Sequence, residues 1–165
     1  MTNEHGATAE RAERLKERVY ITFTALAVVL ALRSHEATAE EAVKTLLIAV
    51  TGTLLAVFVA DVVSHIAVHA ALPARPEVQR MVRVSFGAAT VLGLPLLFLG
   101  LALAETWPAD RALRASTTAL VVSLGVIGYL AVRRVRLPLW QKGIVLLAEV
   151  ALAAAVVGLE LLAHG

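Results

Sequence analysis

The longest apolar run in the sequence, residues 43–72, constrains the fold most, because it is long enough to cross a lipid bilayer as one helix. Its second half nevertheless carries Asp61, Ser64, His65 and His69. Residues four apart advance about 40° around a helix, so positions 61, 65 and 69 lie along one stripe. Because ionisable groups are costly inside a membrane, this stripe is predicted to be a functional site.

The composition is typical of a membrane protein. Of the 165 residues, 59% are hydrophobic and 17% are charged, and the mean hydropathy is +0.79. A soluble domain carries about a quarter charged residues. Cysteine is absent, which excludes disulfides, thiolate metal sites and iron–sulfur clusters. The basic residues form short groups between apolar runs, as expected beside an anionic membrane surface, and no nucleic-acid partner is predicted.

The apolar runs predict an all-α integral membrane helical bundle with short loops. Residues 1–18 are predicted to form a polar, solvated helical lead-in, and residues 19–165 a single transmembrane bundle. Five spanning helices are predicted, at residues 19–33, 43–72, 81–104, 114–132 and 143–163.

Two of these spans have features of their own. The first has an apolar core of only fourteen residues between Arg18 and Arg33, or about 21 Å of helix against a hydrocarbon core of about 30 Å. The small residues at 37–39 leave a cleaved signal peptide over residues 1–39 as the alternative. The third span contains Pro95, which is predicted to kink it.

The distribution of basic residues predicts the orientation. With five spans and the N-terminus inside, eleven Lys and Arg residues lie inside and four outside, so the positive-inside rule favours N-in and C-out. The aromatic residues fall near the ends of the spans and are predicted to be interfacial, as is His69: Tyr20, Trp107, Tyr129 and Trp140. The predominance of Arg over Lys, with abundant Ala, is typical of a bacterial chain and hence of the bacterial plasma membrane.

In this topology Glu149 lies at a depth similar to that of Asp61, so Asp61, His65 and Glu149 converge if the second and fifth spans are neighbours. Three interpretations follow. Asp61 and His65 neutralise each other on one helix, or the group forms a proton or cation path, or Asp61, His65 and Glu149 bind a divalent metal ion. Glu160 is either a carboxylate at the membrane–water interface or an outer residue of the same ion path. Haem is not expected, because His65 and His69 lie on one helix.

The sequence contains no Gly-rich phosphate loop, HExxH or GxSxG motif, so no enzymatic activity is predicted. The prediction is a small channel or transporter for protons or cations, whose path is lined by Asp61, Ser64, His65, Glu149 and Glu160. The alternative is an accessory or scaffold subunit that packs against partner helices through small residues such as Gly93 and Gly100. Besides the lipid bilayer, a second copy or a membrane partner protein is an open possibility.

Overall fold

The computed structural model describes the backbone of residues 2–133 and, beyond them, separate positions between 138 and 158. All regular secondary structure in the described part is helical, as predicted. The elements are α1 (Thr2–Ser34), α2 (Ala39–His69), α3 (Arg75–Gly87), a 3-10 segment (Ala88–Leu92), α4 (Gly93–Leu103) and α5 (Ala109–Arg133). Since α3, the 3-10 segment and α4 follow one another without a loop, the described range holds four helical segments. The predicted fifth span, residues 143–163, lies beyond that range, and only separate positions within it are described.

Three helices are long and apolar enough to cross a membrane: Ala39–His69, Arg75–Leu103 and Ala109–Ala131. They correspond to the second, third and fourth predicted spans. The helix α1 does not reach the same length of apolar sequence, because Arg18 and Arg33 bracket its fourteen-residue apolar part. The fold is therefore a membrane-type helical bundle with three candidate spans among the described residues.

Helix α1 is the most enclosed helix of the bundle. It packs against α2, α3, the 3-10 segment and α5. Its inward stripe is fully buried at four apolar positions: Ile21, Ala25, Leu26 and Val29. Because α1 contacts protein on several sides, its apolar part is buried against neighbouring helices.

Helix α2 buries only a narrow stripe. Thr38 caps its start, accepting a hydrogen bond from the backbone N–H of Glu41 at 3.3 Å. The buried side chains recur every four residues, at Ala42, Leu46, Val50 and Leu54. In the most apolar 18-residue stretch of α2, only 17% is buried inside the protein, so most of the helix surface is available to lipid. Asp61 lies seven residues, or about two turns, after Leu54, and His65 lies four residues farther on, so both lie close to the same stripe, where they are half-buried.

The third helical segment is interrupted rather than continuous. The 3-10 segment ends at Leu92, and Pro95 then lies in the first turn of α4, where a missing N–H donor costs least. Ser116 of α5 donates a hydrogen bond to the Pro95 carbonyl oxygen at 3.4 Å. The irregularity expected at Pro95 is therefore present, but the change in helix type precedes the proline.

Candidate cation-binding site

Three carboxylates from two helices meet at one end of the bundle. Glu13 and Glu17 lie one turn apart on α1, and Asp61 lies on α2. One carboxylate oxygen from each residue lies within 4.8 Å of the corresponding oxygens of the other two. We refer to Glu13, Glu17 and Asp61 as the acidic triad. The short connection between α1 and α2 makes these helices antiparallel neighbours, which brings the start of α1 beside the end of α2.

Glu17 is the most unusual member of the triad. Its side chain is fully buried, and neither carboxylate oxygen has a hydrogen-bond partner. Among the described residues, the cation within ion-pair distance of Glu17 is the Nζ of Lys16, 3.9 Å from one oxygen. Burial raises the pKa of Glu17, the charges of Asp61 and Glu13 act in the same direction, and Lys16 acts against them. A buried carboxylate with this little compensation is stabilised by binding a proton or a cation.

Lys16 does not neutralise the triad. Its Nζ forms an ion pair with Glu13 and leaves half of the Lys16 side chain exposed to solvent. Three carboxylates against one ammonium group leave two negative charges when all four groups are ionised. The triad carboxylate oxygens lie within 4.8 Å of one another, and at an effective dielectric constant of about 20 two unit charges at that limit repel each other by about 3–4 kcal/mol.

A cavity of about 290 Å³ adjoins the triad. It is large enough for a hydrated ion, since one water occupies about 30 Å³ in the liquid. We call it the triad cavity, and its walls come from α1, α2 and α3: Glu13, Asp61, Ser64, His65, Val68, His69, Arg80, Met81 and Val84. Two of the three triad carboxylates therefore lie on its wall, and Glu17 lies against them.

His65 belongs to a second group of polar contacts in the same cavity. Its Nε2 lies 3.5 Å from Oε2 of Glu77 on α3, and its ring stacks on that of His69 with centroids 4.3 Å apart. Glu77 Oε2 also accepts a hydrogen bond from the backbone N–H of Ala74 at 2.7 Å. Glu77 thus caps the start of α3 and contacts the His65 ring near the end of α2.

A second cavity lies at the opposite end of α1. Its volume is about 510 Å³, and its lining includes Arg33, Glu36, Asp110 and Arg114. Arg114 Nε and Asp110 Oδ2 form an ion pair at 2.9 Å. The buried apolar side chains of α1 lie between the two cavities, so the described residues provide polar surfaces at both ends and a packed core between them.

The structure brings together four of the polar residues that the sequence singles out. Asp61, Ser64, His65 and His69 all line the triad cavity. Glu149 and Glu160 lie outside the described residues. The predicted interfacial residues Tyr20, Tyr129 and Trp140 are more than half exposed, and Arg111 Cζ lies 6.0 Å from the centre of the Trp107 ring.

Sequence reasoning misses Glu13, Glu17, Glu77 and Arg80. The interpretation of residues 1–18 as a solvated lead-in is wrong for Glu17, which is fully buried. A signal is present, since Glu17 lies one turn before Ile21 in the same four-residue series as the buried Ala25. Mutual neutralisation of Asp61 and His65 is not the arrangement seen, because His65 pairs with Glu77 and Asp61 lies beside Glu13 and Glu17.

The side chains of this site define its chemistry. Carboxylates this close together hold protons or cations, and oxygen donors favour hard cations. Comparison of the chain with protein-family models, with curated proteins and with solved structures finds no match.

Proposed function

We propose that this protein moves protons or cations across a membrane and that the acidic triad is its ion-binding site. The observation that carries the proposal is the fully buried Glu17 carboxylate, which has no hydrogen-bond partner and lies within 4.8 Å of two other carboxylates. Such a cluster is stable only with a proton or cation bound. A reversible ion site next to a cavity is what a transporter requires.

The proposed topology puts this site on the cytoplasmic side. In a bundle of five spans with the N-terminus inside, the triad and its cavity face the cytoplasm, and the cavity beside Arg33 faces the other side of a bacterial plasma membrane. Asp61, Ser64 and His65 then line the inner part of the path, and the predicted fifth span adds Glu149 at a similar depth and Glu160 near the outer end.

The packed core favours a transporter over an open channel. Between the two cavities α1 presents Ile21, Leu26 and Val29, which are all fully buried. An ion bound at the triad therefore crosses only if the helices rearrange and open the site to the other side.

Reconstituted vesicles test this proposal. Purified protein in proteoliposomes is expected to carry protons, alkali cations or divalent cations, followed with a pH-sensitive or ion-sensitive dye. Glu17→Gln and Asp61→Asn are expected to abolish the flux. The matched control is Glu40→Gln, which removes one negative charge from an exposed residue at the other end of α2. Absence of flux by the wild type for every ion, or equal flux by all variants, contradicts transport.

A second candidate function is that of a scaffold subunit, favoured by the open surface beside two glycines. A Cβ added at Gly93 or Gly100 meets no atom of the described residues within 4 Å. The close helix approach expected at these glycines is therefore available to a partner helix. A scaffold retains its assembly with Glu17→Gln and Asp61→Asn, and loses its partner with Gly93→Leu or Gly100→Leu.

A further inference from the structure

We propose that the acidic triad binds one hard divalent cation of the size of Ca²⁺, with Glu13, Glu17 and Asp61 as its protein ligands. This inference deepens the proposed function, since it names the ion class that the same site takes. It differs from the metal site expected from the sequence, which uses Asp61 with His65 and Glu149.

The donor set points to a hard ion. All three side chains offer carboxylate oxygens, which suit Ca²⁺, Mg²⁺ and Mn²⁺ better than softer metals. The His65 imidazole, which a Zn²⁺ site uses, instead lies 3.5 Å from Glu77. An all-oxygen site of this kind completes its coordination with water, which the adjoining cavity of about 290 Å³ accommodates.

The spacing favours the larger of these ions. Two oxygens bound to one ion lie no farther apart than twice the metal–oxygen distance. This limit is about 4.6–5.2 Å for Ca²⁺ and about 4.2 Å for Mg²⁺. The triad oxygens lie within 4.8 Å of one another, so all three lie within about 2.8 Å of a common point, which is closer to the Ca²⁺–oxygen distance of about 2.3–2.6 Å than to the Mg²⁺–oxygen distance of about 2.0–2.1 Å.

The buried Glu17 distinguishes this site from an exposed acidic cluster. Surface carboxylates are hydrated and need no ion, whereas both Glu17 oxygens are buried and without a hydrogen-bond partner. Glu17 and Asp61 come from different helices and form the fixed part of the site. Glu13 is partly exposed and lies on the cavity wall, so its carboxylate turns from Lys16 to the ion as the ion enters.

The charges around the triad agree with a divalent ion. Three carboxylates and a dication leave one negative charge, which Lys16 on α1 balances. Arg80 of α3 also lines the cavity, and its positive charge repels cations beyond the first. A monovalent ion leaves more of the repulsion between the carboxylates uncompensated.

The test is equilibrium binding to the purified full-length chain in detergent. After treatment with EDTA and removal of the chelator, Ca²⁺, Mn²⁺ and Mg²⁺ are titrated separately by calorimetry. We expect one Ca²⁺ per chain and weaker binding of Mn²⁺ and Mg²⁺. Glu17→Gln and Asp61→Asn are expected to lower the Ca²⁺ affinity at least tenfold, and Glu40→Gln to leave it unchanged. Circular dichroism and elution volume establish that each variant is folded.

The outcomes separate this inference from the proposed function. Proton or alkali-cation flux without saturable Ca²⁺ binding overturns the divalent site and leaves transport standing. Saturable binding that needs Glu17 and Asp61, without flux of any ion, supports the site and overturns transport. Equal Ca²⁺ affinity in Glu17→Gln, Asp61→Asn and Glu40→Gln overturns the assignment of the ligands.

Discussion

A carboxylate oxygen of Glu17 on α1 lies within 4.8 Å of a carboxylate oxygen of Asp61 on α2. The two residues are far apart in the sequence and belong to helices that meet as antiparallel neighbours. Glu17 is fully buried, so each carboxylate raises the electrostatic cost of ionising the other. This relationship places two acidic side chains, one of them fully buried, at the same end of the α1–α2 pair.

Removal of the Glu17 charge is expected to stabilise the ion-free protein. Glu17→Gln keeps the shape of the side chain and removes a buried charge that has no hydrogen-bond partner. We expect the free energy of unfolding to rise by about 1–3 kcal/mol in the presence of a chelator. Thermal unfolding in detergent, followed by circular dichroism, measures the change. Glu40→Gln serves as the control, and a lower stability of Glu17→Gln in chelator argues against an uncompensated charge.

The stability of the ion-free protein is expected to fall as the pH rises. Burial raises the pKa of Glu17, with Asp61 and Glu13 acting in the same direction and Lys16 against them. The folded state therefore binds the Glu17 proton more tightly than the unfolded state. This stabilisation is complete below the ordinary pKa of a glutamate and is lost as the pH rises through the raised pKa.

Unfolding midpoints measured in chelator between the ordinary and the raised pKa of Glu17 give the slope of stability against pH. The comparison between the wild type and Glu17→Gln isolates the Glu17 contribution from those of Lys16, Asp61 and Arg80. The slope is expected to be weaker in Glu17→Gln. Parallel curves for the two proteins show that Glu17 does not titrate differently in the folded state.

Truncation of the α1 core is expected to be more damaging than truncation of the lipid-facing surface. Leu26 is fully buried at the centre of α1, whereas Leu55 on α2 is 51% exposed. Leu26→Ala leaves a cavity and is expected to cost about 2–5 kcal/mol, while Leu55→Ala is expected to cost less than about 1 kcal/mol because its neighbours are lipid. Unfolding in detergent with increasing denaturant compares the two, and equal losses contradict the central position of α1.

The turn between α2 and α3 is expected to depend on the Glu77 carboxylate. Glu77→Ala removes the acceptor for the Ala74 N–H, at a cost of about 1 kcal/mol. Hydrogen exchange at the Ala74 amide is expected to speed up severalfold. Glu77→Gln retains an oxygen acceptor and loses the charge that pairs with His65, so its exchange rate is expected to stay near that of the wild type. Fast exchange in the wild type itself contradicts the contact.

The sequence predicts the helices and part of the site for identifiable reasons. Period and hydropathy predict α2, the interrupted helix Arg75–Leu103, and α5. Four-residue spacing predicts that Asp61 and His65 share a face, and both line the triad cavity. Each of these features depends on the sequence of a single helix, so a sequence pattern can predict it.

The pairing of helices is not readable from the same patterns. Glu13 and Glu17 have the spacing of solvated ion pairs on an exposed helix, and only the packing of α2 and α3 against α1 buries Glu17. The role of Glu77 is equally absent from the sequence pattern, because its contact with His65 depends on the turn between α2 and α3. A fourteen-residue apolar segment also does not reveal that α1 is enclosed by other helices.

Acidic residues of α1 and α2 share one site, and thiol cross-linking in membranes measures this proximity. The chain has no cysteine, so Glu17→Cys combined with Asp61→Cys introduces a single thiol pair. A short bifunctional thiol reagent is expected to join that pair, as detected after cleavage of the chain between the two positions. The control pair, Glu17→Cys with Glu40→Cys, is separated by the length of α2, roughly 30 Å, and is expected to remain unlinked. Efficient linking of positions 17 and 61 is the predicted result, and linking of the control pair alone, or of neither pair, contradicts the account.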